Sequence, residues 1–205
     1  MVLTLASIAI VSIVTIYSWN NQPVIRRFIF NPYMVEQNNE YYRFLTSGFL
    51  HKDIAHLLFN MLALYFFGVV VEDIYTYYYE NLGYLFYILL FYGGMIIADI
   101  PTYFKHRQDP YYNSLGASGG VSAVLFSAIL FRPTSSICLY GILCLPAFIM
   151  GALYIIYSYY QGRRSSDGIN HNAHLFGALY GIAFTVIIKP DVIISFFNKI
   201  SNWSW

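Results

Sequence analysis

Six stretches of this chain carry no aspartate, glutamate, lysine or arginine: residues 1–24, 54–71, 81–98, 111–131, 133–162 and 168–188. A helix needs about 20 mostly apolar residues, and about 17 at the least, to cross the hydrocarbon core of a bilayer. Backbone groups in lipid must find their hydrogen bonds within the protein, so only helices and closed barrels can span. These runs do not alternate polar and apolar residues as barrel strands do. The sequence therefore predicts an all-α fold, a polytopic membrane bundle of six transmembrane helices in a single domain over residues 1–205. The first run has neither a basic start nor a small-residue cleavage site, and reads as a retained helix rather than a signal peptide.

Composition agrees, with 58% hydrophobic and 10% charged residues. Many of the 21 tyrosines gather at run edges, as Tyr41 and Tyr42, Tyr77 to Tyr79, Tyr111 and Tyr112, and Tyr159 and Tyr160. An amphipathic ring favours the headgroup level, so these clusters mark the interfaces. Residues 31–50 are semi-polar and aromatic, as expected of a structured interfacial loop. Residues 190–205 are too interrupted to span again and read as an interfacial tail. Cys138 and Cys144 have no CxxC spacing and read as apolar packing in the fifth span. A net charge of +1 without a basic aromatic patch excludes a nucleic-acid partner; the bilayer is the expected one.

Polar groups inside spans are costly and therefore point to function. In the second span, Asp53 is placed to cap the helix, and His56 and Asn60 fall four residues apart on one face. In the sixth, His174 shares a stripe with Gly177 and Gly181, whose GxxxG spacing lets two helix backbones meet. The fourth opens "GASGG", with Ser118 between Gly116 and Gly119. Even-numbered spans run in one direction, so all of these groups lie in one leaflet. A serine hydroxyl becomes a nucleophile when a base takes its proton, and His174 can serve. The mouth of a helix offers free N–H groups and a favourable dipole to an oxyanion. His56 and Asn60 can add side-chain donors.

These motifs resemble those of the rhomboid family of intramembrane serine proteases over about residues 40–188. The resemblance rests on "YRFLTSGFLH", "HLLFN", "GASGG" and "AHLFGALYG", in that order. It implies a serine endopeptidase that cuts transmembrane segments of single-pass membrane proteins, with no cofactor and no metal. It implies Ser118 as nucleophile, His174 as general base, and His56, Asn60 and the Ser118 N–H as the oxyanion hole. Gly116, Gly119, Gly177 and Gly181 are the packing residues beside that site. Arg43 matches the loop arginine of the family and Glu72 an acidic residue of structural role. Ser122 departs from the pattern, standing where many members carry an aromatic residue that stacks on the histidine. The resemblance also implies that the loop at 161–172 caps the site and that the fifth span, kinked at Pro146, is the side gate. A multi-pass protein of the cell membrane follows. The family orientation puts eight basic residues outside and three inside, against the positive-inside bias; the matched motifs decide for the family orientation.

Other readings compete. A catalytically inactive family member that binds membrane proteins or serves their quality control keeps the fold, but such relatives typically lack the serine or the histidine. A metal site from His51, His56, His171 and His174 has no usual zinc spacing, and His51 and His171 read as solvated loop residues. A channel or transporter would show repeated halves or charges within spans.

Overall fold

The computed structural model describes residues 1–139, 143–164 and 168–204, and it is mostly helical. Helix α1 (Val2–Trp19) is followed by three short helices, α2 (Gln22–Phe28), α3 (Pro32–Asn38) and α4 (Arg43–Thr46), and a 3-10 turn at Ser47–Phe49. Two long helices, α5 (Ile54–Tyr79) and α6 (Asn81–His106), precede α7 (Ser118–Phe131). A hairpin of β1 (Ser136–Leu139) and β2 (Leu143–Pro146) leads into α8 (Ala147–Arg164), α9 (His171–Ile188) and α10 (Val192–Ser201).

Four of these helices, α1, α5, α6 and α9, are long and apolar enough to cross a membrane. Their outward faces carry large apolar side chains such as Ile13, Leu58, Phe66 and Ile187, all more than half exposed. Helix α1 turns the small polar residues Thr4, Ser7, Thr15 and Ser18 inward instead. That inversion suits a lipid solvent, where small and hydroxyl-bearing residues mediate close helix contact. Buried Glu72 of α5 accepts hydrogen bonds from the Leu3 and Thr4 N–H groups at 2.9 and 2.8 Å and from the Thr4 hydroxyl at 2.7 Å. It thereby caps the opening turn of α1, whose N–H groups have no partner within the helix.

Two expectations fail between α7 and α8. Cys138 and Cys144 face each other across the hairpin and form a disulfide; the absence of CxxC said nothing about a cross-strand pair. Pro146 does not kink a span, because it ends β2 and α8 begins one residue later. The fifth apolar run is thus partly hairpin. The fourth run likewise yields a helix only from Ser118, and residues 111–117 form the loop that delivers it.

The heart of the bundle is the contact among α6, α7 and α9. A methyl group on Gly120 would lie 2.4 Å from the Phe91 carbonyl oxygen of α6, and one on Gly119 would lie 2.5 Å from Ala98 Cβ. On the other flank, a methyl on Gly177 would meet the Gly119 carbonyl oxygen at 2.2 Å, and one on Gly181 the Ala123 carbonyl oxygen at 2.2 Å. From Gly177 on Gly119 to Gly181 on Ala123 both helices advance by four residues, so α7 and α9 run parallel, backbone against backbone. The GxxxG spacing acts as the sequence suggests.

Candidate functional site

The mouth of α7 is built by residues distant in sequence. Phe30 and Ser114 exchange two backbone hydrogen bonds of 3.0 Å, and Gly116 N–H donates to the Ser47 carbonyl at 3.0 Å. Ala117 N–H donates to His51 Nε2 at 3.4 Å. The loop before Ser118 is therefore fastened to the segment between α1 and α5. That segment is itself organised by buried Arg43, whose Nη1 donates to the Arg26 and Ile29 carbonyls at 2.9 and 2.7 Å, while its Nε pairs with Glu40.

Gly116 is required twice over. Its φ of 125° lies where side chains are rarely tolerated, and a methyl there would sit 2.8 Å from His56 Cε1 and 3.0 Å from His56 Nε2. The His56 ring thus lies against the backbone just before Ser118. Asp53 caps α5 by accepting from His56 N–H at 2.8 Å, as its position predicts. The Lys52 N–H reaches His56 Nδ1 at 3.5 Å, which leaves the proton on Nε2, the nitrogen beside Gly116. One turn on, Asn60 is buried and its Nδ2 donates to the His56 carbonyl at 2.9 Å. An amide nitrogen carries two hydrogens, so a second donor remains.

Ser118 is the first residue of α7, with no side chain capping the helix. The N–H groups of an opening turn lack intrahelical acceptors, which suits them to an anion. His174 is the fourth residue of α9, one turn before Gly177. Since Gly177 abuts Gly119, His174 and Ser118 sit at the same end of two touching, parallel helices. At 1.5 Å per residue their axial offset is about 3 Å. The fold thus brings Ser118, His174, His56, Gly116, Gly119 and Gly177 towards one end of the bundle, with Asn60 one turn further along α5 and Gly181 deeper, against Ala123.

Three features escaped the sequence. His51 is buried, only 2% exposed, rather than solvated. Its Nδ1 lies 3.0 Å from the Thr15 hydroxyl, which donates to the Phe49 carbonyl at 2.8 Å. Burial, with the neighbouring His56 ring second, pushes its pKa down to about 3, so the ring is neutral and free to accept from Ala117. His171 is also buried, with its ring 5.7 Å from that of His174. The uncharged run ends at Asp99, yet α6 continues through it, and Asp99 accepts from Asn170 Nδ2 at 3.0 Å. Asp99, Asn170, Gly116 and Ser118 line a small cavity with room for about one water, ≈ 10 Å³.

Long helices with apolar outer faces, packed through glycines around an interior that also buries polar side chains, define an integral membrane protein of the polytopic helical class. A Rhomboid domain model matches residues 38–191, and the chain belongs to the rhomboid family. It is 27% identical over 172 residues to the RHOMBOID-like protein 12, mitochondrial, of Arabidopsis thaliana, a match covering 75% of this chain and 49% of that protein. The chain therefore spans about half the length of the curated relative it matches.

Proposed function

We propose that this chain is an intramembrane serine endopeptidase in which Ser118 and His174 form the catalytic dyad, within a single domain of six membrane spans. The observation that carries the reading is the backbone contact of Gly177 on Gly119, which seats the mouth of α9 beside that of α7. Helix α7 has 14 residues, about 21 Å at 1.5 Å per residue against a hydrocarbon core of about 30 Å. If its far end meets one boundary near Arg132, Ser118 lies roughly 9 Å below the other. Peptide bonds offered at that depth belong to membrane-embedded segments, and the family resemblance narrows the substrate class to transmembrane segments of single-pass proteins.

In this mechanism Ser118 Oγ attacks the scissile carbonyl as His174 takes its proton. The oxyanion accepts hydrogen bonds from the Ser118 N–H, His56 Nε2–H and the second Asn60 Nδ2–H. His174 then protonates the leaving amine, and the C–N bond breaks to leave an acyl ester on Ser118. A water, for which the cavity beside Asp99 has room, loses its proton to His174 and attacks the ester. The acid product departs and Ser118 regains its proton. Helix α10, with exposed Ile193, Ile194 and Phe197, lies along the interface as the tail of the bundle, and a multi-pass place in a cell membrane completes the reading.

The test is cleavage of a model transmembrane substrate in proteoliposomes. Ser118→Ala and His174→Ala should each abolish it while the protein still inserts. Retained cleavage in either variant would remove the dyad.

A further inference from the structure

His174 meets two rings, that of His171 edge-on from its own helix and a stacked one from α8. The Tyr154 ring lies 6.1 Å from the His174 ring at an interplanar angle of 28°, within the range where offset-stacked rings attract. The Tyr154 hydroxyl is 2.6 Å from the hydroxyl of buried Ser122 on α7, one turn beyond Ser118. The Phe126 ring, a further turn along α7, lies 5.7 Å from the phenol ring. Tyr154 is thus held by α7 through its hydroxyl and a ring contact, and it stacks on the histidine of α9. An imidazole free to rotate about its last bond spends time with the wrong edge towards the serine, and a stacked ring restricts that rotation.

The helix that supplies this ring is shallowly seated. Of its described residues only Ala147, Gly151 and Ser158 are buried. It joins the bundle through the smaller of two apolar clusters, where Tyr154 and Ile155 pack near Phe126, Ile129 and Ala178. A methyl on Gly151 would meet a side chain, Ile129 Cδ1 at 3.0 Å, rather than backbone of the kind that locks α9 to α7. A helix so attached separates from α7 at lower cost than α9 does; it also rests on α9, where the Tyr157 ring lies 5.5 Å from that of His171, so Tyr154 leaves His174 when α8 parts from both.

We propose that Tyr154 is a positioning residue that orients the His174 imidazole, so that the dyad is aligned only while α8 is seated against α7 and α9. The proposal rests on the proteolytic reading above.

Kinetics in proteoliposomes test it. Tyr154→Phe keeps the ring and loses the hydroxyl tether, and should stay within about threefold of wild type. Tyr154→Leu removes the ring and should lower kcat about tenfold with KM within twofold, the size expected for one lost aromatic contact. The acid limb of the kcat/KM profile, which reports the free enzyme's base, should shift in Tyr154→Leu and stay in Tyr154→Phe. Moving the ring to α7 in Ser122→Phe/Tyr154→Ala should recover at least part of the loss, which a purely structural role for Tyr154 would not allow. If Tyr154→Leu fails to fold, Tyr154→Met fills the space without a ring and takes its place. A ring-less variant with wild-type kcat and an unmoved pH profile would overturn the proposal. Absence of cleavage by the wild type would instead overturn the proteolytic reading itself.

Discussion

Replacing Gly177 by alanine should damage activity far more than the added methyl suggests. The new carbon would stand 2.2 Å from the Gly119 carbonyl oxygen and 2.9 Å from Gly119 C and Cα, where ordinary contact begins at 3.4 Å. All of these neighbours are backbone, so no rotamer change relieves the clash, and close-packed interiors transmit such strain. Helix α9 must withdraw from α7 by about 1.2 Å near its mouth, one turn from His174. A misplacement of about 1 Å between reacting groups can cost about 100-fold in rate, whereas overpacking costs only about 1–3 kcal/mol of stability. The expected result is a folded protein with kcat lowered about 100-fold, measured by cleavage of a fluorogenic transmembrane substrate in proteoliposomes. Gly151→Ala is the matched control: its methyl would meet the movable tip of Ile129 at 3.0 Å, and activity should stay within about threefold. Equal activity of Gly177→Ala and wild type, with melting curves showing both folded, would refute the claim that this contact aligns the dyad.

Two further outcomes follow from the geometry. Asn60→Ala removes one oxyanion donor of several and should lower kcat by at most about 10²–10³-fold with KM little changed; a loss as complete as that of Ser118→Ala, or a shifted melting temperature accounting for all of it, would assign Asn60 to packing instead. The His51 imidazole titrates normally near 6.5 but is pushed to about 3 in the folded chain. Below about pH 6.5 the unfolded chain therefore binds a proton that the folded one refuses, so His51 supports stability fully above that value and loses it as pH falls towards 3. The melting temperature should drop between pH 6.5 and 4, and less steeply in His51→Gln; equal slopes would contradict this role.

The membrane class and the close contact of α7 with α9 were legible because each rests on a strong local signal. Charge-free runs of span length have few physical alternatives, and a GxxxG next to a histidine states both the contact and what it brings close. What escaped was set by tertiary context. His51 lies in a loop-like stretch, and only the approach of α1 and the loop before Ser118 buries it. Asp99 ended an apolar run, yet Asn170 of a distant segment supplies the partner that keeps it within α6. The cross-strand pairing of Cys138 and Cys144 depends on a hairpin that an uninterrupted apolar run conceals, and Pro146 marks the end of that hairpin rather than a bend. Ser122 read as the loss of an aromatic partner for His174, because nothing in α7 announces that Tyr154 reaches across from α8.

The central claim is that the hydroxyl at the mouth of α7 is activated by the histidine of its glycine-pressed neighbour. Mass spectrometry of the purified protein treated with a fluorophosphonate tests it most directly. The account predicts a single adduct on Ser118, absent in Ser118→Ala and reduced to background in folded His174→Ala. An adduct on another residue, or labelling of Ser118 at the full rate without His174, would contradict it.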